Sequence, residues 1–246
     1  MSNCTNTGAV TVNASAVTFP VFVGGVYAKH YNHSNAVPVV VIADENGVGV
    51  ANSGAVSLIA NSETEGILAS VGGVFGYSNL PLVDGEKVWT GSVVNSGAVS
   101  LTSGASPAYI GGVFGYTLNA LSDKASYTNS GNITCTGNMS TAYVGGFVGA
   151  SDSTVTNGTV LCSLTAVGSK QAGMIMGLPY SETTKATNCK VGGKICNAIE
   201  YNEEADNDIP IEVELSSANY IRHLYSNAIS ADQATADGCS YISAIE

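Results

Sequence analysis

A chain of 246 residues with 45% hydrophobic content can bury a substantial core, yet only 11% of its residues are charged, against about 25% in an average soluble domain. Its 8 Lys+Arg face 19 Asp+Glu, for a formal net charge of -11. That balance excludes nucleic acid and anionic membranes as partners, because both need clustered cations.

The start, Met1-Ser2-Asn3-Cys4, carries neither a basic segment nor an apolar run, so no signal peptide is read there. A repeat begins within the first ten residues, and the chain is expected to be a monomeric piece of a longer protein. Residues 6–12 and 22–29 (FVGGVYAK) form its first, loose copy. The longest apolar run, residues 36–43, is interrupted by Pro38 and is far short of the roughly 20 residues that span a bilayer. No membrane insertion is expected.

Next, residues 52–58 and 95–101 are the same heptad, NSGAVSL, followed by the octets SVGGVFGY (70–77) and YIGGVFGY (109–116). The pair returns as NSGNITC (129–135) with YVGGFVGA (143–150), and faintly at 159–162 with 173–177. Val56 and Leu58, like Val99 and Leu101, alternate with small polar residues, the period of a strand with one buried face. The octets are apolar on both parities and read as short strands of unassigned burial. Asn-Ser-Gly before each first strand supplies a turn through residues that tolerate positive φ, while the paired glycines of the octets permit close backbone approach.

Units this short cannot bury their own apolar face, and neighbours with the same side chains complete it. The expectation is an all-β parallel β-helix, a solenoid over residues 1–200, with Val56, Val99, Ile133 and Val160 stacked in one ladder. A sandwich would not need identical heptads, and glycine inside every octet would cost a helix about 1 kcal/mol each.

Cys135 and Cys162 fall where Leu58 and Leu101 fall and are read as buried, inert thiols. Cys189 and Cys196 have no histidine nearby, so no zinc site is expected, and a disulfide between them or two thiols both fit the spacing. Six Asn-x-Ser/Thr sequons, at Asn3, Asn13, Asn32, Asn132, Asn138 and Asn157, are explained by composition.

Residues 201–246 leave the repeat and read as a C-terminal strand-helix cap of the same domain. Ile211, Val213 and Leu215 alternate with Glu212 and Glu214 as an amphipathic strand. Ser216-Ser217 then supplies an N-cap, and Tyr220, Ile221, Leu224, Tyr225 and Ala228 lie at helical spacing. Glu203, Glu204, Asp206 and Asp208 read as a solvated loop.

Catalytic signals are weak. The cations Lys29, Lys87, Lys124, Lys170, Lys185, Lys190, Lys194 and Arg222 are scattered. His30 and His33 in a polar loop lack a third ligand, and His223 reads as a helix-surface residue. No metal or cofactor is expected. Asp84 and Asp123 each follow the second octet glycine by 11 residues; stacked carboxylates can hold calcium, although a solvated pair fits better. Tyr77 and Tyr116 share one octet position and form a candidate row of stacked rings.

The octets, preceded by an Asn-x-Gly turn and a short strand, resemble the GLUG-type repeat of bacterial surface proteins and filamentous-haemagglutinin-style adhesins. The resemblance spans roughly residues 6–200; long insertions between the first copies and a missing motif glycine near Lys29 depart from it. It implies a right-handed parallel β-helix in a secreted or cell-surface protein and supplies no catalytic residues. The function expected is therefore non-enzymatic adhesion or ligand binding, with a glycan or host surface protein as partner. A polysaccharide-processing β-helix using the loop with Asp84, Glu86 and Lys87, or a structural stalk, are the alternatives.

Overall fold

The computed structural model describes residues 4–14, 19–31, 49–60, 68–79, 91–104, 107–118, 121–136, 142–166, 171–181, 184–202, 207–219, 223–225 and 238–245. They form a parallel β-solenoid. Each of the first four rungs lays down a strand, the Asn-x-Gly turn, a second strand, and then the octet. The octet is itself two strands, such as Ala69–Gly72 and Phe75–Asn79, split by a bend at Gly73-Val74.

Equivalent strands pair in register from rung to rung. Val56 lies between Val10 and Val99, and Val99 pairs onward with Ile133. The first octet strands form one five-stranded sheet and the second octet strands another. Alternation places Val56, Leu58, Val99, Leu101 and Ile133 inside, all at most 1% exposed. The octet strands of residues 69–72 are buried at every position because each side packs protein. Inside, Tyr27, Phe75 and Phe114 stack face to face, with centroids 5.2 and 5.0 Å apart. The first rung forms despite lacking the motif glycine near Lys29, with Lys29 in register with Tyr77.

The turn is held by an asparagine ladder. Asn6, Asn52, Asn95 and Asn129 are register partners. The amide Nδ2 of each of the first three donates to the Oδ1 of the next, at 2.7, 2.8 and 2.8 Å. All four Nδ2 groups, that of Asn129 included, donate within their own turns to the Gly8, Gly54, Gly97 and Gly131 carbonyls. Asn52, Asn95 and Asn129 are buried, so these bonds satisfy groups that would be costly to leave unpaired. Asparagine, rather than aspartate or serine, is required, since one side chain must donate along two directions and accept besides.

The turn glycines do not adopt positive φ, contrary to the sequence expectation; among the described residues, Asn157, Asn188, Gly91, Gly193 and Gly238 do so instead. Close approach explains the glycine. A Cβ on Gly54, Gly97 or Gly131 would sit 1.9, 2.0 or 1.9 Å from the carbonyl oxygen of the glycine one rung before.

The ladder ends at Val160, and the register there differs from expectation. Val160 pairs with Asn129, while Ile133 pairs with Leu164. With no side-chain amide to hold the turn, Gly158–Thr165 runs on as a single strand. Cys162 therefore falls in line with the turn glycine Gly131, and Ala166 falls over Cys135. Both thiols are nonetheless buried, at 2% and 5% exposure, and burial pushes the Cys162 thiol up to about 12. A maleimide reagent at neutral pH is expected to label Cys135 and Cys162 only after denaturation, since the reactive thiolate is suppressed. Mass spectrometry of native protein carrying label on both would contradict this burial.

The C-terminal segment adds strands to the outer edge of the last rung. Lys190–Asn202 pairs with Gly158–Thr165 and, on its other edge, antiparallel with Asn207–Glu214. Glu212 and Glu214 are exposed and Leu215 is buried, as the alternation predicts, and Lys194 Nζ meets Glu212 at 2.8 Å. Such exposed pairs stabilise little. Ser216 closes a turn over residues 217–219, with its oxygen accepting from Ala218 N–H. Of the expected helix, residues 220–222 and 226–228 lie outside the described residues. Residues 223–225 instead hydrogen-bond to the last octet strand, and Leu224 and Tyr225 are buried there. Ser240–Tyr241 adds a parallel strand on Lys190-Val191.

Candidate functional site

Two rows of octet side chains face one another outside the bend. The first carries Phe22, Ser70, Tyr109, Tyr143 and Gln171; the second carries Lys29, Tyr77, Tyr116, Ala150 and Leu178. They meet because the glycine at the inner face of the second strand leaves room: Ser70 Oγ donates to the Gly76 carbonyl at 2.6 Å, and a Cβ on Gly115 would touch Ser70 Oγ at 2.4 Å.

The rings form a continuous chain. Phe22 packs on Tyr77 at 5.1 Å, Tyr77 on Tyr116 at 5.4 Å, Tyr116 on Tyr109 at 5.3 Å, and Tyr109 on Tyr143 at 5.5 Å. Tyr180 joins at 5.6 Å from Tyr116. Lys29 Nζ stands 5.1 Å over the Phe22 ring and 5.6 Å over that of Tyr77. The Tyr109 and Tyr180 hydroxyls pair, and Tyr116 donates to Asp152 Oδ2 at 3.2 Å.

Exposure divides the chain by role. Tyr77 and Tyr109, at 8% and 3%, are buried and serve as foundations, so Tyr77 presents no open ring face. Tyr116 and Tyr143 are half-buried and Tyr180 is 46% exposed. Together with Asp152, half-buried beside them, they offer flat apolar faces next to a carboxylate acceptor.

Burial first, and then Asp152 and the neighbouring phenols, push the Tyr116 hydroxyl above the usual tyrosine range; burial does the same for Tyr109 and Tyr180. Burial also raises the Asp152 carboxyl, opposed by the Tyr116 hydrogen bond. The folded state therefore favours the protonated phenols. Their contribution is complete below the unfolded tyrosine value of about 10 and is lost as pH rises beyond it towards the folded values. Thermal unfolding followed by circular dichroism should show a stable plateau to about pH 9.5 and a falling melting temperature above it. A melting temperature flat to pH 12 would contradict the burial of these hydroxyls.

Of the residues singled out in the sequence, Tyr77 and Tyr116 come together as read. Asp123 is exposed in the turn before Ala125–Asn129, where its carbonyl accepts from Asn157 Nδ2 at 2.8 Å, apart from the ring chain. Asp84, Glu86, Lys87, His33, Glu203, Glu204 and Asp206 lie outside the described residues. His30 belongs to the strand Tyr27–Tyr31, in register with Ser78, and not to a loop. Among the described residues no three His, Cys, Asp or Glu side chains gather as metal ligands, and no helix is long and apolar enough to cross a membrane.

Sequence reasoning passed over Tyr109, Tyr143, Tyr180 and Asp152. The first two carried a signal, since tyrosine opens both octets; Tyr180 and Asp152 sit outside the motif. Comparison with protein-family models, curated proteins and solved structures gave no match.

Proposed function

We propose that the chain is a non-enzymatic, cell-surface binding module that presents the face of Tyr116, Tyr143 and Tyr180 with Asp152 to a glycan. The observation that supports this is that Tyr116 and Tyr180, with ring centroids 5.6 Å apart, and Tyr143 are partly open to solvent over the buried Tyr109 ring, with Asp152 at their edge. Sugars present C–H faces that pack on such rings, and hydroxyls that donate to a carboxylate. Tyr116 and Tyr143 lie on paired strands, and Tyr180 N–H donates to the Ser151 carbonyl just past its strand, so little ordering entropy is lost when a ligand docks. The resemblance to GLUG-type surface proteins points the same way, though a fold family does not fix a function.

A glycan array with neutral and acidic oligosaccharides tests the reading. Tyr116→Ala with Tyr180→Ala is expected to weaken binding about tenfold or more, the scale of one lost aromatic platform of roughly 1.5 kcal/mol. Circular dichroism should stay unchanged. A wild-type protein that binds nothing on the array, or a double variant that binds as before, would leave the structural stalk as the better reading.

A further inference from the structure

The inner row that begins with Cys4 runs through Val50, Val93 and Tyr127 to Gly158. Continuing the register of Lys190 on Thr159 and of Ser240 on Lys190, the row proceeds to Cys189 and then Cys239. Two cysteines thus occupy the same position on adjacent parallel strands. Backbone bonds fix the alignment: Ser240 N–H donates to the Cys189 carbonyl at 2.9 Å, and Ile242 N–H to Val191 at 2.9 Å. The Cys239 sulfur already accepts from the Cys189 N–H at 3.3 Å.

From this geometry we infer that Cys189 and Cys239 are a disulfide-forming pair, a covalent latch that fastens the last strand to the solenoid under oxidising conditions. Register partners on neighbouring strands stand about 4.8 Å apart, inside the roughly 4.4–6.8 Å window of Cα separations that disulfides need. The pairing of Cys189 with Cys196, left open by the sequence, is excluded by the fold. Seven residues of extended chain separate those two by roughly 20 Å. Cys135 stacks on Leu101, Cys162 lies beside Gly193, and Cys196 lies beside Thr165, so none of these has a cysteine as its register partner.

All six cysteines are reduced in the structure. The oxidant is a low-molecular-weight disulfide such as oxidised glutathione. The half-exposed Cys239 attacks first as a thiolate, forms a mixed disulfide and releases one glutathione thiolate. Cys189 then yields its proton and attacks the Cys239 sulfur, releasing the second. Two protein thiols are oxidised, and one glutathione disulfide is reduced to two thiols. Cys189 is fully buried, and hydrogen bonding to Cys239 and burial push its thiol up, which places it second. The bond closes a loop whose ends are 50 residues apart, a length at which cross-linking restricts the unfolded chain substantially. Its formation depends on the compartment, oxidising outside the cell and reducing within it.

The test uses the whole chain in a graded series of reduced and oxidised glutathione, followed by acid quench, alkylation in denaturant and peptide mapping. Oxidation should take the alkylatable thiols from the six of the sequence to four and yield a Cys189–Cys239 linked peptide. The melting temperature should rise by several degrees. Cys239→Ser should keep the fold, lose the linked peptide and lose the melting shift. Six alkylatable thiols in the most oxidising buffer would overturn the latch. So would a native, monomeric product that joins Cys189 to any cysteine other than Cys239.

Discussion

Gly97→Ala is expected to destabilise the solenoid by about 4 kcal/mol or more, in the range of severe backbone clashes, lowering the melting temperature by roughly 10 °C. A Cβ there lies 2.0 Å from the Gly54 carbonyl oxygen and 2.6–2.7 Å is all that separates such positions from the neighbouring carbonyl carbons. Both are backbone atoms of a rung held by parallel pairing on either side, so neither can swing away. The rungs must part, and parting breaks the Ser96 to Asn52 backbone bond of 2.8 Å and the asparagine contact beside it. Gly8→Ala is the control. It occupies the same place in the motif, yet the nearest atom to its added Cβ is Asn6 Oδ1 at 3.8 Å. That variant should melt within a degree or two of the parent. Equal damage at both positions would mean that the glycine serves the turn's own conformation and not the stacking of turns.

The asparagine ladder predicts a loss of similar size. Asn95→Ala removes the amide that donates to Asn129 Oδ1 and to the Gly97 carbonyl, each at 2.8 Å, and the oxygen that accepts from Asn52. Asn52, Asn95 and Asn129 are no more than 1% exposed, so water cannot replace the lost partners. Orphaned buried groups cost about 1–3 kcal/mol each. Asn52 keeps its bond to the Gly54 carbonyl and Asn129 Oδ1 keeps one from Gly131 N–H, which moderates the total to roughly 3–5 kcal/mol. Asn95→Asp sharpens the test. Its carboxylate would face Asn129 Oδ1, acceptor against acceptor, in a buried site that raises its pKa. The neutral acid can donate and the anion cannot, so this variant should regain stability as pH falls below the folded value and lose it as pH rises. Urea melts at pH 4 and pH 7 would decide the matter, and a variant equally stable at both would show that the ladder's donors are dispensable. Because the array is a sum of rungs and their interfaces, hydrogen exchange should rise first in residues 52–58 and 95–101.

How much of this was legible in the chain depends on whether the information was local. The identical heptads at 52–58 and 95–101 and the alternation of Val56 and Leu58 determined the parallel stacking, because a strand with a fixed buried face is matched best by another with the same side chains in the same register. The octet glycines likewise announced close backbone approach, and the carbonyls of neighbouring rungs do stand against them. Tyr77 and Tyr116 could be put in one row for the same reason of equivalence.

The tertiary structure decided whatever depended on a partner from another rung. Asparagine at Asn6, Asn52, Asn95 and Asn129 was visible as a repeated letter, but its role as a two-way donor exists only once the turns are stacked. Where Val160 takes the asparagine's place, the turn is lost and the register shifts, moving Cys162 off Cys135; spacing counts carry no trace of a missing side-chain bond. Leu224 and Tyr225 had helical spacing, yet the unpaired edge of the last octet strand offered hydrogen bonds and an apolar seat that outweighed a local preference. Tyr180 and Asp152 reached the tyrosine face from outside the motif, and Cys189 met Cys239 across 50 residues of chain. Periodicity along the sequence fixes which side chains point inward; only the stacking of one rung on the next fixes which of them touch.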